Sequence, residues 1–170
     1  MLLNRTTKFV FLLLAALLLG QPAALAQKPP KISDLSPADK QYMSDSKAQL
    51  DALARSRLGE RFTGSKDRDL TILQMILDRG LVKPDQKREL QAMGIILGDL
   101  LARDLGMHWV VYSDHVGRSR ALRMATTDHY LFPVTAISRR VEADAPVDVA
   151  AIYTKQSQLM APHRRQLPFQ

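Results

Sequence analysis

The hydrophobic pattern changes period at Gly106, and this constrains the fold more than any other feature of the chain. Before it, apolar residues recur at helical spacing. After it come short runs of aromatic and β-branched residues broken by turn formers. A chain that switches from a period of about 3.6 to a period of 2 reads as helices packed on an antiparallel sheet. The expected class is therefore α+β, with N-terminal helices on a small three-stranded antiparallel meander and a C-terminal helix.

The helical half contains three segments. Ser36-Pro37-Ala38-Asp39 is a helix start: Ser36 caps free amides, Pro37 suits the first helical position, and Asp39 complements the positive helix end. That helix is expected to reach Leu58, burying Met43, Ser46, Leu50 and Leu53, and to end at Gly59. A second spans Asp67 to Arg79 with Leu70, Leu73, Ile76 and Leu77 on one face. A third runs from Pro84 to about Asp104, with a broad stripe of Leu90, Met93, Leu97, Leu100 and Leu101. Gly94 and Gly98 border that stripe. Two helix-weakening glycines four residues apart predict a close backbone neighbour there.

In the second half, His108 to Tyr112, Ser119 to Ala125 and Tyr130 to Val134 read as the three strands. Strand parity places Met107, Trp109 and Val111 on one face, and that face is expected against the third helix. Pro133 to Glu142 permits two readings: its alternation allows a strand, while Pro133 followed by Ile137 and Val141 allows a short helix, the favoured one. The last helix uses Val149, Ile152, Tyr153, Gln156, Leu159 and Met160. Residues 36–160 thus form a single α+β domain, preceded by an extended leader (27–35) and followed by a flexible tail (161–170).

Residues 1–26 read as a secretory signal peptide. Arg5 and Lys8 precede an 11-residue apolar run, FVFLLLAALLL, and Ala24-Leu25-Ala26 supplies a small-x-small cleavage pattern. The run is too short for a stable membrane span. Its removal leaves 22 basic against 17 acidic residues, with no cysteine for a disulfide, a thiolate metal site or lipidation. The expectation is a periplasmic or secreted protein whose partner is an anionic envelope component or an acidic protein, and not nucleic acid.

No catalytic motif stands out. Ser113-Asp114-His115 holds the residue types of a hydrolase triad, but consecutive residues cannot converge as separate elements do, so these read as a turn. His108, His115, His129 and His163 lack the spacing of a helical ligand pair, and no phosphate-binding glycine loop is present. Neither a metal nor another cofactor is expected. Asp99 precedes Arg103 by four residues, the spacing of a surface ion pair. Trp109, the single tryptophan, reads as core. Arg118 and Arg120 share one strand face, Arg123 takes the other, and Arg139-Arg140 follow the third strand. Arginine suits planar carboxylate or phosphate recognition.

Gly94-x-x-x-Gly98-Asp99, Leu105-Gly106-x-x-Trp109, Asp114-x-x-Gly117-Arg118-x-x-Ala121-Leu122-Arg123, Phe132-Pro133 and Ile137-Ser138-Arg139-Arg140-Val141-Glu142 occur in this order. Over Gly94 to Glu142 the chain resembles a bacterial domain family of unknown function, number 3806. Arg139 departs from the lysine expected in that family. The resemblance implies helices before a meander, implies no reaction, and marks Asp99, Trp109, Asp114, Arg118, Arg123, Arg139 and Arg140 as candidates. The functional expectation is a non-catalytic binding or interaction module that uses Arg118, Arg120, Arg139 and Arg140. Two readings compete with it: a small envelope enzyme with Asp99 or Asp114 beside an arginine, and an immunity-like or inhibitor protein.

Overall fold

A computed structural model describes residues 29–163. The expected signal peptide and most of the expected tail lie outside these residues. The described chain is α+β, with five helices and one four-stranded antiparallel sheet of order β1-β2-β3-β4. The strands are β1 (Lys31–Asp34), β2 (Met107–Ser113), β3 (Arg118–Met124) and β4 (Tyr130–Leu131). The helices are α1 (Pro37–Leu58), α2 (Lys66–Asp78), α3 (Lys87–Leu105), α4 (Ser138–Glu142) and α5 (Val149–Met160).

The sheet corrects the expectation of three strands. Lys31–Asp34, expected within an extended leader, pairs antiparallel with β2, Ile32 opposite Tyr112 and Asp34 opposite Val110. Four residues with one apolar side chain carry no readable period. The open edge of β2, whose backbone groups need partners, makes this segment a strand.

Helix α1 begins as its sequence dictates. The Ser36 hydroxyl accepts from the Asp39 amide at 3.1 Å, and the Asp39 carboxylate accepts from the Ser36 amide at 3.2 Å, completing a capping box. Gly59 closes the helix at φ 69°, a left-handed conformation that glycine adopts without a Cβ clash. The buried face is Met43, Ser46, Leu50 and Ala54, with Leu53 only half-buried. Helix α3 starts at Lys87 rather than at Pro84, because residues 84–86 form a turn. In α5, Asp148 caps the helix by accepting from the Ala151 amide at 2.8 Å. Leu159 of α5, expected on the buried face, is 55% exposed, whereas Met160, expected there too, is buried.

Helix α3 is the centre of the core. Leu90, Met93, Ile95, Leu97 and Leu101 are fully buried, against α1, α2, α5 and the sheet. Its two glycines both admit close neighbours, a backbone at Gly94 as their spacing predicts and side chains at Gly98. A Cβ on Gly94 would sit 2.4 Å from the Val134 carbonyl oxygen, and one on Gly98 would sit 2.4 Å from Cζ2 of Trp109. The sheet approaches at Gly98 through Trp109. At Gly94 the neighbour is the 3-10 turn Pro133–Thr135 that follows β4. That turn also shortens the third expected strand: Pro133 fixes φ and offers no N–H, so pairing stops at Leu131.

Candidate functional site

The basic residues of β3 are held by a carboxylate from the start of α1. Asp39 is 3% exposed. Its Oδ2 accepts from Ser36 Oγ at 2.6 Å and from Arg118 Nη2 at 2.5 Å; its Oδ1 accepts from Arg120 Nε at 3.0 Å, with Arg120 Nη2 at 2.9 Å. The hydrogen bond from Arg118 is the main force holding the Asp39 carboxyl well below the usual carboxylate range; burial opposes it and Ser36 assists. The same bond raises the Arg118 guanidinium above its ordinary value.

Tyr42, one turn along α1, completes the support. The Arg120 guanidinium lies 4.4 Å from the centre of the Tyr42 ring, and Arg88 lies 5.7 Å from it. The Tyr42 hydroxyl donates to Gln91 Oε1 at 2.8 Å. With that oxygen occupied, the Gln91 carboxamide has its two N–H donors left to offer.

Of these groups, Gln91, Arg118 and Arg120 border a pocket of about 530 Å³ between the start of β3 and the turn after β4. Its polar wall includes Gln91, Arg118, Arg120 and Arg139. Its apolar wall includes Tyr112, Val116, Phe132 and Val134. Tyr112 packs edge-on against Phe132 at 5.3 Å and against Tyr130 at 5.1 Å. Phe132 remains 42% exposed and Val116 82% exposed. Arg139 is exposed, and no hydrogen bond or ion pair engages it among the described residues.

The structure thus brings together three of the four expected binding arginines. Arg140 stands apart: its Nη1 donates to the Ala136 carbonyl at 2.6 Å, one helical turn back, and it does not line the pocket. Arg123 lies on the opposite sheet face, as parity requires, and secures the β3–β4 turn through the Thr127 and Thr126 carbonyls at 2.7 and 2.8 Å. Asp114 lines the pocket, yet its Oδ1 accepts from the Val116 and Gly117 amides at 2.9 and 3.1 Å, the work of a turn residue.

Asp99 and Trp109 lie elsewhere. Asp99 pairs with Lys47 of α1 at 2.6 Å and accepts from Trp109 Nε1 at 2.8 Å. The expected partner Arg103 instead reaches Asp104 at 3.1 Å and the Gly64 carbonyl. Helical spacing made Arg103 available to Asp99, but the neighbouring helix and strand supplied closer donors. Replacing Trp109 by phenylalanine is expected to cost about 1 kcal/mol for the lost hydrogen bond, measured by urea denaturation followed by circular dichroism.

Lys47 and Asp99 line a second cleft of about 290 Å³ with Asp51, Asp69 and Arg103. Its carboxylates are engaged by protein: Asp51 accepts from the Phe62 amide at 2.9 Å, and Asp69 from the Thr63 and Gly64 amides at 3.0 and 2.8 Å. They pin the loop between α1 and α2. Among the described residues, no group of three histidines or carboxylates is placed to hold a metal ion.

Asp39, Tyr42, Gln91 and Phe132 are site residues that the sequence did not reveal. The signal at Asp39 was present but ambiguous, since the capping role accounted for it fully.

Fold and site together define a small α+β protein with a helical layer against an antiparallel sheet and a basic, partly apolar pocket at the end of β3. The chain belongs to the family described as Domain of unknown function (DUF3806), whose profile matches residues 69–153, half of its length. All the pocket-lining residues fall within that match, whereas Asp39 and Tyr42 precede it. The fold is also similar to a crystal structure of a protein from Bacteroides thetaiotaomicron, with a TM-score of 0.67 and 20% identity over 79% of this chain and 49% of that one. The chain therefore spans about half the length of that protein, and the likeness concerns the fold. No curated protein matches the chain.

Proposed function

We propose that this protein is a non-catalytic binding module, exported by its N-terminal signal, that takes an anionic group of an envelope component or acidic protein into the pocket lined by Arg118, Arg120 and Arg139. One observation carries the reading. Three guanidinium groups border a single pocket, two already oriented by Asp39 and one without a protein partner among the described residues. Orienting a guanidinium beforehand removes part of the entropy cost of binding, and an unpaired one has donors to give. Catalysis is disfavoured on chemical grounds. Asp39 is held ionised beneath the arginines, which makes it a weak proton acceptor, and Asp114 spends an oxygen on its own turn.

The test titrates the folded protein with inorganic pyrophosphate and with citrate, following the arginine side-chain Nε–H signals by NMR. Saturable shifts confined to Arg118, Arg120 and Arg139 are expected, with affinity falling about tenfold in Arg139→Gln and declining with added salt. Uniform, unsaturable shifts across all arginines would refute the pocket as an anion site.

A further inference from the structure

The pocket lies along an open strand edge. Strand β4 pairs with β3 only at Leu122 and Arg123, through Leu131 and Tyr130. The Met124 amide donates to the His129 carbonyl at 3.1 Å, so the β4 side of β3 is the side that Met124 addresses. In an antiparallel ladder, backbone groups alternate between the two neighbours. Leu122, Arg120 and Arg118 therefore direct their N–H and C=O groups to that same side. At Pro133 the chain leaves the sheet for its 3-10 turn, and among the described residues no strand partners Arg118 and Arg120 there. The lining confirms the placement: Ser119 and Tyr112 come from one face of the sheet, Arg118 and Arg120 from the other. Residues of both faces border one pocket where it runs along a strand edge.

Resting on the anion-binding reading above, we infer that the ligand is the C-terminal segment of a partner polypeptide, added as a short strand to the open edge of β3 with its terminal carboxylate on the pocket arginines. Two features, the backbone edge and the apolar wall, favour this occupant over a free small anion. The edge offers alternating backbone donors and acceptors, which an extended peptide satisfies and a phosphate cannot. Arg139, unpaired among the described residues, supplies a planar fork for the carboxylate. Tyr112, Phe132 and Val116 give an apolar wall beside it, and exposed Phe132 and Val116 side chains gain from covering. The pocket's volume suits a few residues of chain. The partner segment would thus end in an apolar residue bearing a free carboxylate.

The experiment uses the folded protein and three probes: a degenerate heptapeptide pool with free C-termini, the same pool amidated at the C-terminus, and inorganic phosphate. Affinity is measured by competition, and backbone amide signals of Arg118 and Arg120 are followed by NMR. The free-carboxylate pool is expected to bind about tenfold tighter than the amidated pool, to shift the Arg118 and Arg120 amides, and to lose its advantage in Arg139→Gln. Arg139 is exposed, so this variant keeps the fold. Equal binding of the two pools, or amide shifts away from β3, overturns the strand-addition inference. If phosphate saturates the arginine signals while neither pool binds, the inference fails and the anion pocket stands. If no probe binds, both fall.

Discussion

Asp39→Asn is expected to destabilise the protein by about 2–3 kcal/mol, seen as a lower urea midpoint with an unchanged slope. The variant keeps the shape of the side chain but leaves Arg118 and Arg120 facing a neutral group. Removing one partner of a fully buried pair costs about 3–5 kcal/mol; the smaller figure applies because the Arg118 side chain is 50% exposed and recovers hydration. The effect carries a pH signature. The folded-state pKa of Asp39 lies below its unfolded value of about 3.9, so the ionised carboxylate stabilises the fold fully above that value. That contribution is lost as pH falls through the folded pKa. The gap between wild type and Asp39→Asn should stay constant from about pH 5 to 8 and narrow below about pH 4. A gap that widened in acid would show that Arg118 does not depress this carboxylate. Because Asp39 orients two pocket arginines, the variant should also weaken anion binding where Arg123→Gln does not.

Gly94→Ala is the second substitution with a large expected effect, a loss of about 2–4 kcal/mol read as a lower thermal midpoint. The new Cβ would stand 2.4 Å from the Val134 oxygen and 2.5 Å from the Pro133 oxygen. Both are backbone atoms, and the Pro133 carbonyl already accepts from the Ala136 amide at 3.0 Å, so neither can rotate aside. Alanine returns about 1 kcal/mol of helix preference, too little to offset the clash. The displaced turn carries Phe132 and Val134, so pocket binding should fall with stability. A substitution tolerated at Gly94 would mean that the turn packs on α3 more loosely than the structure places it.

Much of the fold was legible from residues alone. Ser36-Pro37-x-Asp39 marked the start of α1, Gly59 its end, and the change of period at Gly106 separated helix from sheet. The Gly94/Gly98 pair announced a close approach because only a neighbour inside the Cβ radius makes two glycines worth their helix cost. Strand parity put Arg118 and Arg120 together and Arg123 opposite. Each of these signals is local: a cap, a period or a missing side chain acts within a few residues. The family resemblance over Gly94 to Glu142 agrees with membership, yet it could not say which of the marked residues meet.

What stayed hidden depends on contacts between distant segments. Lys31–Asp34 became a strand because β2 had an edge to offer, not because four mostly polar residues prefer one. Asp99 chose Lys47 and Trp109 over Arg103, since packing brought those donors within 3 Å. Arg139 and Arg140 are adjacent in sequence but diverge, one to the pocket and one to the Ala136 carbonyl before α4, by the 100° that separates neighbours on a helix. Asp39 gained its second role from residues 79 and 81 positions away. The α+β class, both ends of α1 and the facing of the β3 arginines were readable in the residues, because caps and periods operate along the chain. Which charges pair, and that Arg139 has no partner among the described residues, followed only from the tertiary structure, because electrostatic partners are selected by distance through space.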